Sequence, residues 1–156
     1  MTTLPKNRQI LAVVDTQVFV RALASQPHEA RFYACAIQKC WKFVFSSHIT
    51  NEYQRVLQEY GFRGDVVIHE LNKLHAMNKY RGSDADPESV PDGLAPRKDR
   101  HIIAPCMAGN ANVVVTDDGG IWRLRQSIIA ETGAVVLTRA EAERLLDPIP
   151  NCVSGA

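Results

Sequence analysis

Asp15, Glu52, Asp99 and the pair Asp117 and Asp118 stand where predicted strands hand over to helices. The five histidines form no triad and no metal-binding spacing, and no Ser, Cys or His dyad presents itself as a nucleophile. Carboxylates gathered at one point repel one another and raise each other's pKa, a tension that a bound divalent cation relieves. Oxygen donors without imidazole or thiolate suit Mg²⁺ or Mn²⁺. The chemistry such a cluster favours is phosphodiester hydrolysis, in which the ion acidifies the attacking water and offsets charge on the phosphate.

For these acids to meet, the chain must bring distant segments to one edge. Short β-branched runs followed by helical periods dominate the sequence. Residues 10–14 predict a buried strand and 16–24 a helix. Residues 29–41 predict a second helix, 43–45 a short strand, and 49–60 a third helix capped by Ser46 or Ser47. Residues 65–77 make a fourth helix. Residues 78–98, punctuated by Gly82, Pro87, Pro91, Gly93 and Pro96, predict a long loop with at most one short irregular strand. A helix over 100–109, bent at Pro105, a strand over 112–115, a helix over 121–131, a strand over 134–137 and a helix over 139–146 complete the pattern. Strands alternating with helices imply a three-layer α/β/α sandwich around a central, mainly parallel sheet. Ligands bind such sheets beyond the carboxyl ends of the strands. Asp15 follows the first strand directly and Asp117–Asp118 follow the strand over 112–115, so both should emerge at that edge.

Each acid also has a plainer role open to it. Asp15 and Asp99 can cap the helices that follow them, and Glu52 can be a solvated helix-surface residue. Asp117-Asp118-Gly119-Gly120 can be a turn. Their shared placement at strand-to-helix junctions, rather than any one of them, carries the site.

The 156 residues fit a single domain over 1–156, with a core over about 9–147 and a frayed tail after Pro148. Hydrophobic residues make up 46% and charged residues 22%, the balance of a soluble globular chain. No apolar run approaches the roughly 20 residues of a membrane helix. The polar start lacks a signal-peptide core, so a cytoplasmic protein with no membrane partner is expected. A net charge of +1 argues against broad polyanion binding, but not against a local site where a metal supplies positive charge. Of four cysteines, Cys35 and Cys40 fall on different faces of one helical stretch, and Cys106 and Cys152 stand alone. Buried thiols rather than metal ligands or bridges are expected for most of them.

The chain resembles the PIN-domain family in four segments. Val13-Val14-Asp15-Thr16-Gln17-Val18-Phe19-Val20 is similar to the family's opening hydrophobic–Asp–Thr–Asn–hydrophobic motif. The run from Ser47 through Glu52 to Leu57 is similar to its serine-then-glutamate helix. Lys98-Asp99-Arg100-His101-Ile102-Ile103 is similar to its later acidic helix start. Ala111-Asn112-Val113-Val114-Val115-Thr116-Asp117-Asp118 is similar to its strand ending in Thr-x-Asp. Order and spacing agree from about Leu11 to Leu137. Three departures stand out: Gln17 replaces the usual asparagine and sits one methylene further out, residues 78–98 lack a clear apolar strand, and two adjacent aspartates end the last motif.

The resemblance implies a metal-dependent endoribonuclease acting on single-stranded RNA, of the kind found as the toxin of a bacterial toxin–antitoxin pair, with an antitoxin protein as partner. It implies Asp15, Glu52, Asp99 and Asp118 as catalytic residues, with Asp15, Asp99, Asp117 and Asp118 toward Mg²⁺ or Mn²⁺. Thr116-x-Asp118 makes Asp118 the principal acid of its pair. Thr16, Gln17, Ser47 and Thr116 would orient those carboxylates. Arg97, Lys98 and Arg100 bracket Asp99 and are the candidates to grip phosphate, ahead of Arg21, Arg123 and Arg125. Trp122 could stack a base, though its helical spacing favours packing. The resemblance also implies a homodimer. Bulky Trp41, Phe43 and Phe62 near helix ends place its interface on the second and third helices. The alternative is a PIN-like module that binds RNA or protein without cutting. A phosphoacceptor domain would want an acid pair on the first strand, and no Gly-x-Gly-x-x-Gly follows any strand to bind a dinucleotide.

Overall fold

Val113-Val114-Val115 and Val135-Val136-Leu137 carry no polar side chain, so each can be buried on both faces only inside a sheet covered by helices. The computed structural model, which describes residues 3–6 and 8–152, places them there. Strand β1 (Leu11–Val14) leads into helices α1 (Thr16–Leu23) and α2 (Pro27–Gln38). Strand β2 (Lys42–Phe45) leads into α3 (Ser47–Glu59) and α4 (Asp65–Ala76), and β3 (Tyr80–Gly82) follows. Two 3-10 turns, Pro87–Ser89 and Arg97–Asp99, precede α5 (Arg100–Met107). Strand β4 (Val113–Val115), α6 (Gly119–Trp122), α7 (Arg125–Thr132), β5 (Val135–Leu137) and α8 (Arg139–Leu146) end the sequence of elements.

All five strands are parallel, in the order β3-β2-β1-β4-β5. From β1 the chain steps outward to β2 and β3. It then crosses back to β4, on the other side of β1, and continues to β5. Right-handed crossovers put α1 to α4 on one face and α5 and α7 on the opposite one. The packing agrees, with α1 against α2 and α3, α3 against α4, and α5 against α7. The reversal of direction lies between β1 and β4, the switch point at which such sheets open a crevice.

Local chemistry accounts for most element ends. Pro27 opens α2 at a position where its missing N–H costs nothing. Ser46, not Ser47, caps α3, accepting from the Ile49 N–H at 3.1 Å. Gly133 closes α7 with a φ of +78°, a conformation side-chain-bearing residues adopt at a cost. The expected single helix over 121–131 is two helices. Arg125 donates to the Trp122 carbonyl at 3.1 Å, and its guanidinium lies 4.2 Å from the centre of the Trp122 ring. The Trp122 face is thereby occupied, in keeping with packing.

The structure sharpens or corrects the sequence reading in several places. The stretch over 78–98 contains β3, paired with β2 through Phe43 and Tyr80. It has no apolar run because an edge strand needs none: Arg81 and Gly82 are exposed. Helix α2 stops at Gln38, and Cys40 lies beyond it with a φ of +68°. There it forms a disulfide with Cys152, the two Cα atoms 5.3 Å apart, so only Cys35 and Cys106 are free. The tail is held as far as Cys152, whose N–H donates to the Gln38 carbonyl at 2.7 Å, while Lys39 donates to the Ile149 carbonyl. Trp41 and Phe43 are each 1% exposed, so neither can serve a dimer interface; of the three residues expected there, Phe62 alone is exposed. No helix among the described residues is long and apolar enough to cross a membrane.

Between the sheet and α1 to α3 lies an aromatic cluster. Phe19 stacks on Tyr53 at 4.3 Å and meets Tyr33 and Phe45 edge-on at 5.6 and 5.7 Å. The Tyr53 hydroxyl donates to the carbonyl of Val14 at the end of β1. That bond ties α3 to the strand next to Asp15. Phe19→Ala, in a side chain 1% exposed, is expected to cost about 3–5 kcal/mol in urea unfolding, through lost transfer energy and the cavity left behind. A cost below about 1 kcal/mol would mean that the cluster closes over the gap and does not hold α1, α3 and the sheet together.

Candidate functional site

A cavity of about 660 Å³ opens at the carboxyl edge of the sheet, over the switch point. Asp15, Glu52, Asp99, Asp117 and Asp118 all line it. Each arrives by a different route. The pairing of Val14 with Val115 sets the ends of β1 and β4 side by side, and the Asp15 N–H donates to the Val115 carbonyl at 2.8 Å. Asp15 and Asp118 therefore leave adjacent strands at one edge. Helix α3 brings Glu52, and the 3-10 turn ahead of α5 brings Asp99.

Fully buried Thr116 joins the two strand ends. Its hydroxyl donates to Asp15 Oδ2 at 2.6 Å and accepts from the Asp118 N–H at 3.0 Å. The other Asp15 oxygen accepts from the Thr16 N–H at 2.7 Å, so Asp15 caps α1 while facing the cavity. Burial nonetheless raises the Asp15 carboxyl above its ordinary value, outweighing the Thr116 and Thr16 hydrogen bonds, and the Asp118 charge adds to the rise. Asp118 is more open. The Gly120 N–H, at 2.7 Å, and Lys98, at 3.4 Å, hold it below its ordinary value.

Asp99 is the least satisfied of the set. It is 6% exposed, makes no capping bond to α5, and its Oδ2 is buried with no hydrogen-bond partner. Burial, with Asp118 and Asp15 adding like charge, pushes its carboxyl up to about 6. Glu52 is held by Arg55, one turn further along α3, at 2.7 and 3.3 Å. Asp117 is exposed and accepts from the Arg139 N–H at 3.1 Å, which ties the start of α8 to the rim.

The residues expected around the acids divide. Thr16 and Gln17 line the cavity, and Thr116 sits beneath it; Lys98 lines it too, beside Asp118. Ser47 lies in a separate groove with Thr50 and Asn51, because Ser46 took the cap and turned its neighbour outward along α3. Arg97 and Arg100 do not line the cavity; Arg100 is bound to Asp92 and lies 4.0 Å from Glu88. Arg21, Glu29, Arg55 and His101 do line it. Helical spacing was the available signal for Arg55, which stands three residues after Glu52. His101 is half-buried rather than a surface residue, and burial holds its imidazole below the ordinary value.

Six carboxylates thus face three fixed cations, Arg21, Arg55 and Lys98. Such a cavity repels a phosphodiester until positive charge is added. Oxygen donors and an orphaned Asp99 oxygen are the chemistry that a hard divalent cation takes. Among the described residues, no three His, Cys, Asp or Glu side chains already stand together as a metal cage.

The structure is a parallel α/β domain with an acidic cavity at its switch point. The chain belongs to the PIN-domain family, whose model matches residues 11–119. PIN domains are generally nucleases and typically use divalent metals. No curated protein matches the chain.

Asp99→Asn tests the electrostatics. In EDTA, the folded protein keeps the Asp99 proton up to about pH 6, whereas the unfolded chain releases it near 3.8. Between those values the folded state binds more protons, so stability contributed by this group falls as pH rises and stays low above about 6. Asp99→Asn is expected to remove that slope and to raise stability at pH 7 by about 1–3 kcal/mol, read from urea unfolding at pH 5 and 7. A variant less stable than the parent at pH 7 would show that the carboxylate is well solvated.

Proposed function

We propose that the protein is a divalent-metal-dependent endoribonuclease acting on single-stranded RNA, in the manner of a toxin held in check by an antitoxin protein. The observation that carries the reading is the buried, unpartnered oxygen of Asp99 in a cavity it shares with Asp15, Glu52 and Asp118. Burying a carboxylate oxygen without a partner is costly, and a cation is the group that offsets the cost while drawing in phosphate. Mg²⁺ or Mn²⁺ held there would lower the pKa of an attacking water and offset charge on the scissile phosphate. The chain's own residues supply the rest. Thr116 and the Thr16 N–H keep the Asp15 carboxylate in one orientation. Lys98, exposed beside Asp118, is placed to meet a phosphate oxygen. Arg55 holds the Glu52 carboxylate on the cavity wall, within reach of a water bound there.

In-line attack by water expels the 3′ oxygen, so the 2′-hydroxyl takes no part. The expected outcome is cleavage of single-stranded RNA with Mg²⁺ or Mn²⁺, none in EDTA, and products ending in 5′-phosphate and 3′-hydroxyl. Asp15→Asn is expected to lower the rate by at least about 100-fold while the protein stays folded, since it removes a ligand charge with little change of shape. Cleavage that survives EDTA, a 2′,3′-cyclic phosphate product, or a fully active Asp15→Asn protein would each overturn the reading.

A further inference from the structure

Tyr60, the residue that ends α3, is 45% exposed, the most exposed large hydrophobic side chain among the described residues. It is not free to wander. Its hydroxyl donates to Gln17 Oε1 at 3.3 Å, and Gln17 lines the acidic cavity two residues past Asp15. The extra methylene of Gln17 thus has a use: it carries the amide outward to a residue on the neighbouring helix. Arg21 from α1 and Arg55 from α3 line the same cavity. The rim formed by α1 and the end of α3 therefore carries an exposed aromatic ring hydrogen-bonded to a residue that lines the cavity.

We infer that this α1–α3 rim is a base-stacking subsite, in which Tyr60 receives an unpaired base of the substrate strand next to the cavity; the inference rests on the nucleic-acid reading of the site and deepens it. Every base has a π-face, so stacking on a ring is tolerant of sequence. A duplex keeps its bases stacked inside and cannot offer one, which selects single strands. Arg21 is the cation available to a flanking phosphate, and exchanging Glu29 for phosphate would leave its charge satisfied.

The test is binding of a short, fluorescently labelled single-stranded RNA to the full-length protein in an Asp15→Asn background, so that the strand is not cut. A second strand lacks bases over its central nucleotides. Tyr60→Leu keeps the bulk and removes the π-face. It is expected to weaken binding of the intact strand about tenfold and of the abasic strand less than about twofold. Tyr60→Phe keeps the π-face and loses the bond to Gln17, so it should bind the intact strand more tightly than Tyr60→Leu and no more tightly than the parent. Equal binding of the intact strand by parent and Tyr60→Leu overturns the subsite, as do equal losses on both strands or a parent that binds neither. Cleavage by the wild-type protein is scored separately. RNA cut normally with binding indifferent to Tyr60 sinks the subsite alone. Tyr60-dependent binding without metal-dependent cleavage sinks the catalytic reading alone.

Discussion

The side-by-side pairing of β1 and β4 is the constraint on which the site depends. A parallel ladder points both strands the same way, so the residues after Val14 and Val115 must leave the sheet together. The Asp15 N–H then continues the ladder by one bond, and the Thr116 hydroxyl closes the gap between two acidic segments a hundred residues apart in sequence. Asp15 and Asp118 are brought close by backbone hydrogen bonds, which are strong and rigid, rather than by any attraction between the side chains. The like charges are tolerated because the sheet leaves them no alternative position.

The remaining acids are delivered by packing. Tyr53 lies one residue from Glu52, and its hydroxyl ends on the Val14 carbonyl, one residue from Asp15. A single buried aromatic residue thus couples the glutamate helix to the aspartate strand. Asp99 is carried in by the turn before α5, whose Ile102, Ile103 and Ala104 are buried in the core. Hydrophobic burial is non-directional and large, and it drags a carboxylate to a place where water does not reach one of its oxygens. The stability given up at Asp99 is of the kind often found where buried titratable groups serve function.

The same logic separates the cations that face the cavity from those that do not. Arg100 stands beside Asp99 in sequence but is spent on Asp92 and Glu88, within its own loop. Arg55 and Arg21, remote in sequence from Asp99, arrive with α3 and α1. Nearness along the chain is a poor guide to nearness in a fold whose site gathers the ends of several strands.

The sequence by itself determined the class of fold, the approximate span of most elements and the identity of the five acids. Short β-branched runs, period-3.6 hydrophobic patterns and strand-to-helix junctions are local properties, and local sequence encodes them. The edge strand at Tyr80 was legible only as one short irregular strand without a partner, because a strand paired on one side needs no apolar run. Only the tertiary structure decided that Trp41 and Phe43 belong to the core, that Cys40 meets Cys152, that Ser47 faces another groove, and that Arg21, Arg55, His101 and Tyr60 join the site. Each of these depends on which way a side chain points once distant segments have packed. That direction is set by contacts with partners that may stand anywhere in the chain, so no window of neighbouring residues contains it.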